Sequence, residues 1–382
     1  MDIKKLGEIC DVVSGGTPSR TNTAFWDGGI IPWIKIGNIK GKYVSEADEY
    51  ITQAGLEGSS AKILSKGTVL YTIFATLGEA GILTIDACTN QAIAGITIKN
   101  QDEVLADYLY YYLKSKKSYI NNLGRGVAQN NINLSILRNL EIPLPALPVQ
   151  RQTVDILDKT AKVIEYRRQQ LQNLDDLVKA RFVEMFGDPK SNPHEYEKPQ
   201  LKETCKVITG NTPSRAIREY YGDCLEWIKT DNIVSGVLNP TAAVEKLSRS
   251  GVDVGRTVDA GTILMACIAG SIASIGRVCV TDRKVAFNQQ INAIVPQKYN
   301  VLFLYTLLQI SKDYLVEEIN MALKGILSKS KLEEKHFILP PMESQDEFAS
   351  FVEQVDKSKF VVQQALDKAQ LLFDSLMQQY FG

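Results

Sequence analysis

Chemistry first shows itself in two matching runs, VSGGTPSR (13–20) and ITGNTPSR (208–215). Thr17, Ser19 and Arg20 in the first, and Thr212, Ser214 and Arg215 in the second, put two hydroxyls and a guanidinium on a proline-marked turn. Such a set suits phosphate contacts, and a guanidinium can also fork onto a guanine edge. Turn chemistry alone, with Pro18 and Pro213 setting φ, explains the same residues. A second pair of runs, PWIKIGNI (32–39) and EWIKTDNI (226–233), supplies Lys35 and Asn38, then Lys229, Asp231 and Asn232. Lysine fits phosphate and asparagine fits adenine, while the tryptophan and isoleucine read as core. Third come Asn90 and Gln91, answered by Asn288, Gln289 and Gln290. These amides can make two-point pairs with adenine, or satisfy backbone groups at strand ends. A polar, glycine-loosened loop holds Arg125, Gln129 and Asn130, its counterpart holds Lys324 and Lys329, and both read as facing DNA.

Catalytic constellations are missing from the sequence. No phosphate-binding G-x-x-x-x-G-K-[ST] loop occurs, since Gly41-Lys42 is followed by Tyr43. Gly124-Arg125-Gly126 is half a dinucleotide fingerprint and does not follow a strand. Asn192-Pro193-His194 reads as a turn in a polar linker, and Glu333-Glu334-Lys335 as a solvated helix face. Two histidines and six cysteines without a C-x-x-C spacing leave neither a metal centre nor a disulfide scaffold. The expectation is a chain with no active site, no metal and mostly buried, reduced thiols.

Composition sets the frame for those loops. A length of 382 residues, 45% hydrophobic, implies more than one domain. No apolar run reaches the roughly 20 residues of a membrane span, and the opening MDIKKLGEIC lacks a secretory core. The expected location is the cytoplasm. The net charge of -1 does not advertise a nucleic-acid binder. Residues 1–147 carry 14 basic and 14 acidic groups, and residues 188–342 carry 19 and 17, so any grip on phosphate must be local or shared with a partner.

What must position the loops is a duplicated unit. KGTVL (66–70) recurs as AGTIL (260–264), ACTNQAI (87–93) as AFNQQI (286–291), PLPALPVQ (143–150) as ILPPMESQ (338–345), and EMFG (184–187) as QYFG (379–382). Offsets hold near 195 residues, which chance similarity would not sustain. Each copy runs from short apolar strands through a tyrosine- or leucine-rich helix and a polar loop to a proline-marked exit and a long helix. The first long helix repeats Val154, Leu157, Ala161, Ile164, Arg168, Leu171, Asp175, Val178, Phe182 and Met185 at alternating three-four spacing. The second repeats Phe348, Val352, Val355, Lys359, Val362, Leu366, Ala369, Phe373, Leu376 and Tyr380. That is a coiled-coil seam, with Pro148 and Pro341 before the starts and Gly187 after the first end. An antiparallel register facing Val154 with Tyr380 would face Phe182 with Val352 and Asp175 with Lys359. The expected class is α+β: two similar β-rich α/β domains (1–147 and 188–342) separated by two long antiparallel helices (148–187 and 343–382) with a pseudo-two-fold repeat.

With LGEICDVVSGGTPSR (6–20), the PWIKIGNI block, the IPLPALPVQRQTVDIL exit (142–157) and the terminal FG all repeated in order, the chain resembles the specificity subunit of type I restriction-modification systems. The resemblance implies two target recognition domains, each reading one half of a split double-stranded DNA sequence across a gap set by helix length. It implies docking of methyltransferase subunits, two of them, with motor-nuclease (restriction and translocase) subunits as further partners. S-adenosylmethionine would then bind the methyltransferase, and this chain would take no cofactor. Glu343-Ser344 in place of Pro148-Val149 makes the two exits unequal. A protein-binding scaffold built on the same coiled coil is the alternative reading.

Overall fold

A computed structural model describes residues 2–124, 131–317, 319 and 325–382. Contacts divide the chain into two compact units, Met1–Tyr166 with Leu366–Gly382, and Arg167–Ala365. Each is a mixed helix-and-sheet body that includes a stretch of both long helices.

In the first unit, Cys10–Ser14, Ile93–Ile98, Val69–Thr72, Ala80–Leu83 and Tyr43–Val44 make a five-stranded sheet in that order. Val69, Leu70, Tyr71 and Thr72 are all buried, as a short apolar run covered on both faces requires. A smaller sheet sets Ile31–Ile34 between Glu49–Ile51 and Cys88–Thr89, the latter pairing parallel through Trp33 and Cys88. The second unit repeats the plan. Cys205–Thr209, Ile291–Pro296, Ile263–Ala266 and Val278–Val280 form one sheet. Tyr221–Ile228 again pairs parallel with Val285–Phe287 through Trp227 and Ala286. Even the caps recur: Thr52 accepts from the Gly55 amide, and Ser248 from Gly251, at matched helix starts.

Behind each large sheet lies a helix, Ala106–Ser115 or Val301–Ile310, whose middle is buried in the core. Two matched devices tie it to the long helices. At the start of the first long helix (Leu147–Phe186), the wholly buried Gln150 accepts from the Leu105 amide (3.0 Å) and donates to the Glu103 and Pro145 carbonyls (2.8 and 2.9 Å). At the start of the second (Met342–Phe381), Gln345 accepts from the Asn300 amide (2.9 Å) and donates to the Pro340 carbonyl (2.8 Å). The far ends are aromatic plugs. Phe381 sits on Tyr108 (5.1 Å between centroids) in the first unit, and Phe186 on Phe303 (4.9 Å) in the second. The repeated FG phrases are therefore anchors, and Gly187 (φ +72°) ends its helix in the left-handed conformation glycine favours.

In the second unit the helical stretches meet in the expected antiparallel register, and in the first they share one core. Val154 and Tyr380 share the first core, Phe182 and Val352 the second, and Lys359 Nζ lies 2.6 Å from Asp175 Oδ1. Two details differ from the sequence reading. Pro148 falls inside the first turn, where a missing N–H costs nothing, and Arg168 is exposed although it keeps the seam spacing. Among the described residues, no helix is long and apolar enough to cross a membrane.

Candidate nucleic-acid interface

Three of the polar segments converge in each unit. The loop that follows Cys10–Ser14 crosses the Asn90–Gln91 turn, with Gly16 N–H bonded to the Thr89 carbonyl (2.8 Å) and the Thr17 hydroxyl donating to Gln91 Oε1. Its equivalent, after Cys205–Thr209, has Asn211 N–H on the Phe287 carbonyl (3.2 Å) and the Thr212 hydroxyl on Gln289 Oε1. The approach is close enough that a Cβ on Gly15 would collide with Thr89, and one on Gly210 with Asn288, so glycine is required at both. The tryptophan of the PWIKIGNI or EWIKTDNI run clamps the loop from below: Trp33 Nε1 donates to the Gly16 carbonyl (2.9 Å) and Trp227 Nε1 to the Asn211 carbonyl (3.3 Å).

Over these tryptophans lie the cations. The Arg20 guanidinium stands 3.7 Å from the Trp26 ring and 5.0 Å from Trp33; Arg215 stands 4.6 Å from Tyr221 and 5.2 Å from Trp227. A glutamate that the sequence reading missed holds each one. Glu49 pairs with Arg20 (2.5 Å) and with Lys35; Glu245 pairs with Arg215 (2.7 Å) and Lys229 (2.8 Å). Lys35 first and Arg20 second hold the Glu49 carboxyl below its ordinary range, and Lys229 then Arg215 do the same for Glu245, against burial that would raise both. The only sequence signal for the pair is a Glu repeated at an offset of 196, inside segments that otherwise share little.

The remaining polar residues divide into exposed and spent. Ser19 is exposed beside Thr21 (2.9 Å), and Ser214 and Asp231 are exposed as well. Asn38 and Asn232 use their Oδ1 to cap the turns at Lys35 and Lys229 (2.8 and 3.0 Å). Asn90 accepts from the Ala92 amide (3.2 Å) and Asn288, buried, from Gln290 (3.1 Å), while also donating to the Gln290 side chain (3.1 Å). Gln91 and Gln289 are the amides that reach solvent. Lys329 opens a separate short helix and pairs with Glu333 at 3.5 Å. Arg125, Gln129, Asn130 and Lys324 lie outside the described residues.

All six cysteines are free thiols and five are buried. Burial pushes Cys10, Cys267 and Cys279 up to about 12 and Cys88 and Cys205 up to about 11, so these are packing residues rather than nucleophiles.

Two copies of one loop-and-tryptophan cluster, each on a mixed sheet and tied to paired long helices, define a duplicated recognition module. Comparison with known proteins agrees. A family model described as the type I restriction modification DNA specificity domain matches residues 1–175 and 193–368, and the chain belongs to that family. It is 27% identical over 381 residues to the type I restriction enzyme MjaIX specificity subunit of Methanocaldococcus jannaschii, covering 92% of this chain and 86% of that one. To the EcoR124I/EcoR124II specificity subunit of Escherichia coli it is 27% identical over 192 residues, 46% of this chain and 47% of that one. In fold it matches the S subunit from M. genitalium (TM-score 0.58, 15% identity), covering all of this chain and 96% of that one. A chain solved for complex assembly and conformational transition of the type I R-M system matches equally (TM-score 0.58, 17% identity, 100% and 97% covered).

Proposed function

We propose that this chain is the DNA-reading subunit of a type I restriction-modification complex, with each unit reading one half of a split duplex target. The observation that carries the reading is the duplicated cluster: an arginine on an aromatic face, a lysine, a hydroxyl-bearing turn and a solvent-facing glutamine, in the same arrangement twice. Arginine and glutamine match guanine and adenine edges, and lysine and hydroxyls match phosphate. The residues about the two clusters differ, Trp26 against Tyr221 for instance, so the half-sites differ.

Chemistry belongs to partners in this reading. The chain works without a cofactor or an active site of its own, and S-adenosylmethionine binds to methyltransferase subunits. Two such subunits fit the duplication, because each unit exposes apolar side chains from its helical stretches, two of them at matched positions. The first unit shows Tyr166, Leu371 and Leu372, and the second Val361, Leu177 and Phe360. Tyr166 and Val361 are 195 residues apart, as are Leu177 and Leu372. Restriction and translocase subunits join the same assembly, and the place of work is the cytoplasm.

The test is co-expression with the cognate methyltransferase in a methylation-free host, followed by genome-wide mapping of modified adenines. The expected result is a split motif of which one half changes when one unit is exchanged for a homologue's. An assembled complex that modifies nothing would leave a protein-binding scaffold instead. Pure chain incubated with DNA, magnesium and S-adenosylmethionine is expected to leave the DNA unchanged.

A further inference from the structure

We infer that Glu49 and Glu245 are positioning residues for specificity: each holds one arginine, Arg20 or Arg215, so that the free edge of its guanidinium reads one base pair in the half-site of its own unit. The inference rests on the DNA-reading role proposed above. Each carboxylate is placed by the small sheet. Glu49 pairs in register with Trp33, and the Glu245 carbonyl accepts from the Trp227 amide at 3.1 Å. One terminal nitrogen of each guanidinium meets the carboxylate, as an ion pair at 2.5 Å for Arg20 and as a hydrogen bond at 2.7 Å for Arg215. A guanidinium has five N–H donors in a planar fork, so the remaining edge keeps donors for a base. The aromatic face below and the carboxylate at one side fix the plane of the fork, and a fork fixed in advance loses little freedom when it binds.

Stability alone does not account for the arrangement. The arginine side chains are 52% and 55% exposed and the glutamates 28% and 37%, a setting in which ion pairs add little. Yet the same three-charge group is rebuilt in both units although the glutamate's offset has slipped by one residue and its neighbours are unlike, YVSEADEYITQ (43–53) against LNPTAAVEKLSR (238–249).

The test uses the complete complex and its map of methylated adenines. Glu49→Gln is expected to raise acceptance of the disfavoured bases about tenfold at one position of one half-site, leaving the other half read as before. Glu245→Gln should do the same in the opposite half. Arg20→Ala should relax that same position, and adding Glu49→Gln to it should change nothing more there, because the glutamate acts through the arginine. The unaffected half reports that the complex is folded. Should Glu49→Gln fail to assemble, Glu49→Asp, which keeps the charge and shortens the reach, carries the same test. Both halves unchanged, a general rise in modification at unrelated sites, or an effect undiminished in the Arg20→Ala background would each overturn the inference. A wild-type complex without a split motif would instead sink the DNA-reading role itself.

Discussion

The two units build the same loop-and-tryptophan cluster from largely corresponding residues but fasten their globular parts to the helices with different ones. In the first, Lys42 reaches Asp158 of the long helix (2.6 Å) and Asp107 (2.7 Å), Tyr43 donates to Asp107 (2.7 Å), and Tyr111 donates to Asp158. In the second, Lys359 reaches from the other long helix to Asp175 (2.6 Å) and on to the Gly236 carbonyl (3.0 Å). Positions 195 residues away, Ile164 and Gln370, carry no charge. The contrast separates two kinds of constraint. A loop that must cross a turn through a glycine and present an arginine at a set angle tolerates few solutions. A helix flank needs only charge complementarity, which many pairs supply. The buried Gln150 and Gln345 fall with the first kind, since each satisfies more than one backbone group at a helix start at once.

The widest expected effect tests whether the aromatic plugs are equivalent. Phe186→Ala should cost about 3–5 kcal/mol, the usual range for emptying a fully buried phenylalanine site, with Phe381→Ala at or below its lower end. Phe186 is 0% exposed among Phe182, Phe303 and Phe348, whereas Phe381 is 3% exposed on Tyr108 and Tyr112. Hydrogen exchange should show the loss in Val301–Ile310 for the first variant and in Ala106–Ser115 for the second. Loss of protection in both helices from either change would mean that the units do not respond separately.

Next in size is the charge pair on the seam of the second unit. Asp175→Lys sets two ammonium groups together and should destabilise by about 1–3 kcal/mol, less than a fully buried pair because Asp175 is 33% exposed. Replacing both Asp175 and Lys359 with leucine should return stability to within about 1 kcal/mol of the original, since well-packed apolar pairs commonly match buried ion pairs. A double variant as unstable as the single one would show that the Gly236 contact, not the pair, is what matters.

Much of this was legible in the residues because it is periodic or repeated. The seam spacing gave the helices and, through Asp175 and Lys359, their register. The offset of 195 brought out the duplication. What stayed hidden depends on contacts between distant segments. Thr17 and Thr212 were visible as hydroxyls on a turn, but their glutamine partners depend on a loop crossing that no local pattern encodes. Asn38, Asn90, Asn232 and Asn288 read as base-pairing amides, yet their carbonyl oxygens are spent on turns. Both uses look identical in sequence. Glu49 and Glu245 carried no motif, and only three-dimensional proximity to the arginines gives them a role.

The smallest effect concerns pH and pulls the units apart in opposite directions. Burial alone would raise the Asp107 carboxyl, but hydrogen bonds from Lys42 and Tyr43 overcome it and leave its pKa below the ordinary value. Such a group stabilises above its unfolded pKa, and the contribution is lost as pH falls through that value towards the folded one. Asp356, in the second unit, is shifted the other way: burial raises it and the Lys359 charge only partly compensates. Its folded pKa lies above the unfolded one, so it weakens the unit at neutral pH and the penalty lifts as pH drops towards the ordinary carboxylate range. Glu49 and Glu245 are both lowered and cancel between units, while Glu226 of the second unit, lowered by the Arg283 hydrogen bond, gives up its contribution only as pH falls below its ordinary value. Mild acidification from neutral should therefore favour the second unit before it harms the first. Fluorine NMR of labelled tryptophans reads the units separately, Trp26 and Trp33 in one and Trp227 in the other. Asp356→Asn should stabilise the Trp227 transition at neutral pH and abolish its gain on acidification, leaving the other two resonances unmoved. A gain that survives the substitution would place its source in another group of the second unit.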